Sequence, residues 1–256
     1  MTALATAPVS AGLDRRFRSR EIWRIVRLHA VNPSIFFGVP WLILAGAWAV
    51  SMVLAVIITG SGAQPDDVGD GMRYSWAVLS PQWYLVVVGV QAVGLTFSFA
   101  LGFGATRRDF WLGTSLMFAL VSLLNAAAIA TLVQIEIATD GWWIDSRMFD
   151  ALWYGQTSWF GDFYATFALQ LLVLFVGAGV TTVFMRWRMR GMMILTFGAI
   201  ALALAAVALV SLSQAWPTVF EWLGSLGLGG AFTLVLALAA VFAVGGYLVI
   251  RRATPR

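Results

Sequence analysis

Six apolar runs divide this chain, and arginine clusters in alternate gaps between them. Each run reaches the ~20 residues a helix needs to cross the hydrocarbon of a bilayer. Basic residues are retained on the cytoplasmic side, so the alternation gives both the crossings and their orientation. One set of segments carries Arg15, Arg16, Arg18, Arg20, Arg24 and Arg27, then Arg107 and Arg108, then Arg186, Arg188 and Arg190, then Arg251, Arg252 and Arg256. The alternate set carries only Arg73 and Arg147, against nine acids. The expected architecture is an all-α integral membrane protein with six transmembrane helices and an N-terminal amphipathic interfacial helix. Both termini are expected in the cytoplasm of a bacterial cell, with the spans in its inner membrane.

Composition agrees with lipid as the solvent. Charged residues make up 11% of the chain, against about one quarter in a soluble domain, and the mean hydropathy is +0.86. The net charge of +4 conceals a strong asymmetry, because the arginine-rich segments hold only Asp14, Glu21 and Asp109 as acids. The basic residues sit in short loops facing headgroups, which argues for membrane lipids as partners and against nucleic acid. There is no cysteine and no lysine. Disulfides, thiolate metal sites and thiol catalysis are therefore excluded, and so is a phosphate-binding loop that needs lysine. No cofactor is expected.

Along the chain, residues 1–12 read as a disordered tail, 13–31 as the amphipathic interfacial helix and 32–256 as the six-span domain. Asp14 is a candidate N-cap of the first helix. Arg16, Arg20, Arg24 and Arg27 share one helical face, with Ile22, Ile25, Val26 and His29 on another. Asn32 and Pro33 end that helix. The spans are expected at 35–59, 83–104, 112–138, 163–185, 192–213 and 231–250. Pro40 either kinks the first or marks its true start. The segment 60–82 reads as a polar loop with a flexible centre. The Trp-rich segment 139–162 reads as a short helix on the outer leaflet, and 214–230 as a re-entrant or interfacial helix. Small residues four apart (Gly94, Ser98, Gly102; Ser122, Ala126, Ala130; Gly177, Thr181) suit close helix packing within one bundle more than a dimer seam.

Chemistry-bearing residues are few. His29 is the only histidine and reads as a structural residue of the interface, so neither a metal cluster nor a Ser–His–Asp arrangement is available. Glu136 is the only acid expected within a span, near its outer end. Gln91, Asn125 and Gln170 lie nearer the middle of theirs, as interhelical hydrogen-bonding groups or the lining of a path.

The stretch Phe99 to Ser115 reads FALGFGATRRDFWLGTS. Its Gly104, Thr106, Arg107, Arg108, Asp109 and Phe110 resemble the Gly-x-[ST]-Arg-[RK]-x-[FY] run in the first cytoplasmic loop of ABC-2-type permeases, the exporter-class membrane subunits of ABC transporters. The amphipathic helix followed by six spans is similar in outline. The resemblance implies a permease without its own ATPase, paired with a second permease chain as homodimer or heterodimer and driven by a separate ATP-binding cassette subunit. It makes Thr106, Arg107, Arg108, Asp109, Phe110 and Trp111 the coupling loop, with the arginines pairing acids on the partner and Phe110 and Trp111 filling an apolar groove there. A non-transport membrane scaffold explains the lack of central polar residues equally well. An ion-coupled carrier requires Glu136 to act as a proton site.

Overall fold

A computed structural model describes residues 11–252, and all regular structure among them is helical. The expected tail lies, through residue 10, outside the described residues, as do residues 253–256. Helix α1 spans Ala11–Ala30, so Asp14 sits inside the helix rather than at its cap. Pro33 disfavours a helical residue before it, and the chain turns at Val31–Asn32. After one π-type turn at Ser34–Gly38, α2 runs over Val39–Gly60. Pro40 occupies its first turn, where a missing N–H costs nothing; of the two roles open to Pro40, it marks the start.

The segment 60–82 is not the flexible loop its composition suggests. It contains α3, Pro65–Met72, with Pro65 opening the helix and Asp66 and Asp67 in the first turn. Those acids complement the positive end of the helix dipole. The region expected as one span over 83–104 is two helices, α4 at Ser80–Gly94 and α5 at Phe97–Gly102, broken at Leu95–Thr96. Helix α6 is continuous from Arg107 to Ala138. Helix α7 covers Trp159–Leu212 and α8 covers Trp216–Ile250. Five of the helical stretches are long and apolar enough to cross a membrane, so the chain is an all-α protein of multi-pass membrane type.

Helix α7 is 54 residues long, or ~81 Å if straight. It is not straight. Tyr164 Oη and Thr233 Oγ1 lie 2.9 Å apart. A straight α7 would carry Leu212 ~72 Å from Tyr164, whereas the largely helical stretch from Leu212 to Thr233 reaches back no more than ~40 Å. The helix must therefore double back. It does so at Arg188, whose φ of 55° and ψ of −145° leave the helical region. The expected turn at 186–191 coincides with this break. Helix α8 is likewise broken, at Gly227 (φ 61°, ψ −177°), a conformation essentially confined to glycine.

The bundle core is built by α4, α6 and residues 159–187 of α7. Leu85, Val88, Val93, Phe110, Phe118 and Leu174 are among its fully enclosed members, and Phe97 of α5 packs with them. Helices α4 and α7 approach backbone to backbone. A Cβ on Gly89 would collide with the Leu174 carbonyl, and one on Gly177 with the Val86 carbonyl. Ser122, Ala126 and Ala130 are wholly buried, which assigns that small-residue stripe to packing inside the bundle. By contrast, every side chain from 193 to 209 is exposed, and nearly all are apolar. Lipid is the solvent that tolerates such a helix.

Gly89→Ala and Gly177→Ala are each expected to cost about 1–3 kcal/mol by forcing these backbones apart. Gly46→Ala and Gly198→Ala, where an added Cβ meets open space in a helix interior, should not destabilise and should gain up to about 1 kcal/mol. Thermal unfolding of the four variants in detergent, followed by tryptophan emission, checks the contrast.

Candidate functional site

The arginine-rich end is organised by a threonine N-cap. The α5–α6 turn passes through Gly104 at φ 85° into an extended Thr106. Thr106 Oγ1 accepts from the Asp109 backbone N–H at 3.1 Å and donates to Asp109 Oδ2 at 2.7 Å. One orphan backbone N–H at the helix start, that of Asp109, is thereby satisfied, and the Asp109 carboxylate in turn fixes the threonine hydroxyl. Arg107 donates to the Arg251 carbonyl at 2.9 Å, joining this turn to the end of α8. Arg108 is exposed.

Phe110 and Trp111 point the other way. Phe110 is fully buried, edge-on to Phe97 with centroids 5.2 Å apart. Trp111 is also buried, its indole N–H donates to the Ala243 carbonyl at 3.1 Å, and its ring lies where a Cβ on Gly246 would be. The role of partner anchor inferred for these two side chains does not fit this geometry. The reason is helical register: Phe110, Gly113, Thr114, Met117, Phe118 and Val121 form one buried stripe of α6, and Trp111 adjoins it. Only Arg107 and Arg108 of the expected loop face outward with Thr106.

Helix α1 is seated on the same turn. Ile25 lies so close to Gly113 that a Cβ there would clash with it. His29 does not face the membrane from an interfacial helix. It is 5% exposed, with Nε2 3.0 Å from Thr114 Oγ1 and its ring 6.0 Å from Phe36. Burial holds its pKa down at about 4. A shallow cavity of about 200 Å³ separates α1 from α5, lined by Glu21, Arg24, Ile25, Leu28, Phe99 and Phe103 among others.

In mid-bundle, Asn125 accepts from the Trp41 indole at 3.0 Å. Asn125 and Gln170 share the lining of a cavity of about 10 Å³, close to one water in size. Gln170 is buried and its Oε1 has no partner. Gln91 is half-buried and lies off this cavity.

The opposite end depends on Glu136. Its carboxylate is fully buried and accepts from the Trp142 indole at 2.7 Å, the Met148 N–H at 2.9 Å and the Asp150 N–H at 2.6 Å. Three donors drawn from one loop converge on one side chain. The loop is not the surface helix its tryptophans suggest. It has a single π-type turn at Gly141–Asp145, with left-handed φ at Asp140, Trp142, Trp143, Asp145 and Leu152. Donors pulled inward onto Glu136 are incompatible with a regular helix. Arg73 and Arg147, the only arginines outside the basic segments, both bind Asp150 Oδ2, at 3.1 and 2.8 Å. They tie the α3 region to this loop and line a cavity of about 530 Å³. Sequence reasoning missed that pairing, although two lone arginines among nine acids are its signal.

Among the described residues, no group of three His, Cys, Asp or Glu is placed to hold a metal ion. The arrangement offers a charged, capped turn at one end, a latched loop at the other and few free polar groups between. No family model, curated protein or solved structure matches the chain.

Glu136→Gln keeps the shape but gives up charge-assisted hydrogen bonds, at an expected cost of about 1.5–3 kcal/mol. Limited proteolysis should then cut within 139–158 before any other site. His29 generates a pH dependence. Above pH 6.5 it is neutral whether folded or unfolded. As pH falls from about 6.5 to 4, the unfolded chain takes up a proton that the buried ring refuses, so stability declines by about 3 kcal/mol. Unfolding temperature measured over that range should fall in the parent protein and flatten in His29→Gln.

Proposed function

We propose that this chain is the membrane-spanning permease subunit of an ATP-driven exporter of the ABC-2 class. In this reading it crosses the bacterial inner membrane six times with both termini in the cytoplasm, the doubled-back α7 supplying two crossings. A second permease chain completes the path, and ATP hydrolysis resides on a separate ATP-binding cassette subunit. The observation that carries the reading is the turn at Thr106–Asp109. It is short, capped by Thr106, and joined without slack to α5 and α6, and it presents Arg108 to solvent. A rigid charged turn of this kind suits transmission of a partner's motion into two helices at once.

Contact with the partner falls to Arg107, Arg108 and the adjoining exposed face of α1, since Phe110 and Trp111 are used internally. Glu136 is fully engaged as an acceptor by its own loop, which favours energy input from a partner over proton coupling at that residue.

The test is co-expression of this chain with the products of its genomic neighbours, followed by affinity purification. An ATP-binding cassette subunit should be retained with the chain and bring ATPase activity. Arg108→Glu should weaken the association about tenfold by placing like charge against the partner's acids, while the unfolding temperature stays put because the residue is exposed. Failure of any ATP-binding subunit to co-purify, or indifference to Arg108→Glu, would favour the scaffold reading.

A further inference from the structure

At the Glu136 end, a cavity of about 530 Å³ opens between the latched loop and the end of α3, within the ~300–1,000 Å³ usual for a small-molecule site. Arg73 and Arg147 meet at its wall on a single oxygen, Asp150 Oδ2, at 3.1 and 2.8 Å. The other Asp150 oxygen is pressed against Gly155, where an added Cβ would strike it. Two positive groups therefore share one carboxylate. Arg147 is the less satisfied of the two. Its side chain is only 19% exposed, yet just one of its five N–H donors has a protein partner among the described residues. None of the remaining donors is sealed from a ligand or water. Across the same cavity, the Asp140 carboxylate has no partner among the described residues. Asp70 approaches Arg73 at 3.8 Å but is 77% exposed, so water screens it.

We infer that this cavity binds a phosphoethanolamine group, with the phosphate on Arg147 and Arg73 and the ammonium on Asp140. The cavity holds two guanidinium groups and two carboxylates, so it is neutral in sum but offers unused groups of both signs. A simple anion leaves Asp140 unmatched, and a simple cation leaves the arginine donors unmatched. A zwitterion matches both. The planar guanidinium fork donates twice to a phosphate. Depth selects the phosphate. The length of α6 from Arg107 to Glu136 is ~44 Å, the ~40–45 Å thickness of a bilayer with its headgroups. With Arg107 in one headgroup layer, the cavity lies at the other, where aminophospholipid heads are at hand. Ile137 and Leu152 add an apolar wall for the glycerol end of such a lipid. The same group also occurs free, as soluble phosphoethanolamine. The inference rests on the membrane location alone and stands apart from the transport reading.

The experiment uses the full chain in maltoside micelles. Equimolar phosphatidylethanolamine and phosphatidylglycerol are added, and native mass spectrometry measures the lipid retained. One phosphatidylethanolamine per chain is expected, preferred about tenfold over phosphatidylglycerol. In parallel, calorimetry measures binding of free phosphoethanolamine. Asp140→Asn removes the charge while keeping a residue that tolerates the left-handed backbone there. It should abolish the preference and weaken the free compound about tenfold, with the unfolding temperature unchanged because Asp140 is exposed. Arg147→Lys keeps a charge beside Asp150 but loses the fork, and should weaken both lipids alike. Should that variant loosen the loop, Asp140→Asn still decides. A lipid preference lost in Asp140→Asn supports the site with a lipid as its source. Binding of the free compound without a lipid preference, lost in the same variant, supports it with a soluble source. Absence of both, or either one surviving Asp140→Asn at parent strength, overturns the inference.

Discussion

The bundle depends on the contact between α4 and α7, where two glycines let main chains touch. In lipid, apolar side chains gain little by leaving their surroundings, so helix association draws on close packing and on polar contacts. Gly89 under the Leu174 carbonyl and Gly177 under the Val86 carbonyl supply that packing. Thr181, one turn further along α7, places its methyl group 3.5 Å from where a Cβ on Gly94 would lie. This seam fixes residues 159–187 against α4, and α6 closes over both with its small residues. Residues 193–209, which have no such seam, stay exposed along their length.

Each end of α6 adds a polar clasp that the packing alone would not provide. At its start, Thr106 and Asp109 cap the helix, and His29 holds α1 onto Thr114 in the next turns. Near its end, Glu136 gathers the loop that follows. From Arg107 to Glu136 is ~44 Å along the axis, longer than the ~30 Å hydrocarbon. When Arg107 lies at one interface, Glu136 therefore lies beyond the hydrocarbon at the other. A buried carboxylate is tolerated at that depth because three donors of the loop replace the water it gives up.

What was legible in the sequence followed from period and punctuation. Apolar run length disclosed the long helices, and Asn32–Pro33 disclosed the first turn. The turn at 186–191 was visible from its arginines, even though the main chain keeps helical hydrogen bonding nearly throughout. Proline also marked α3, but the surrounding glycines and acids read as a loop because helix propensity is local and the packing of Gly69 against Asp145 and Arg147 is not. The Trp-rich loop was misread for a related reason. Tryptophan signals an interface but does not say that Trp142 will turn inward to a carboxylate six residues earlier. For Phe110 and Trp111, the family resemblance implied contact surfaces, whereas their register with Thr114 and Phe118 makes them core.

Under the proposed permease reading, the sparse polar content of the bundle bears on where a translocation path would run. Asn125 is engaged by Trp41, and Gln170 faces a space of one water, so neither lines a passage in this conformation. A path between α4 and α7 would have to break their seam, where carbonyls lie against Gly89 and Gly177. A path between two chains would leave that seam intact. It requires only that each bundle move as a body, with the capped turn at one end of α6 and the Glu136-held loop at the other moving together. The continuous helix between them is what makes such coupling mechanically available.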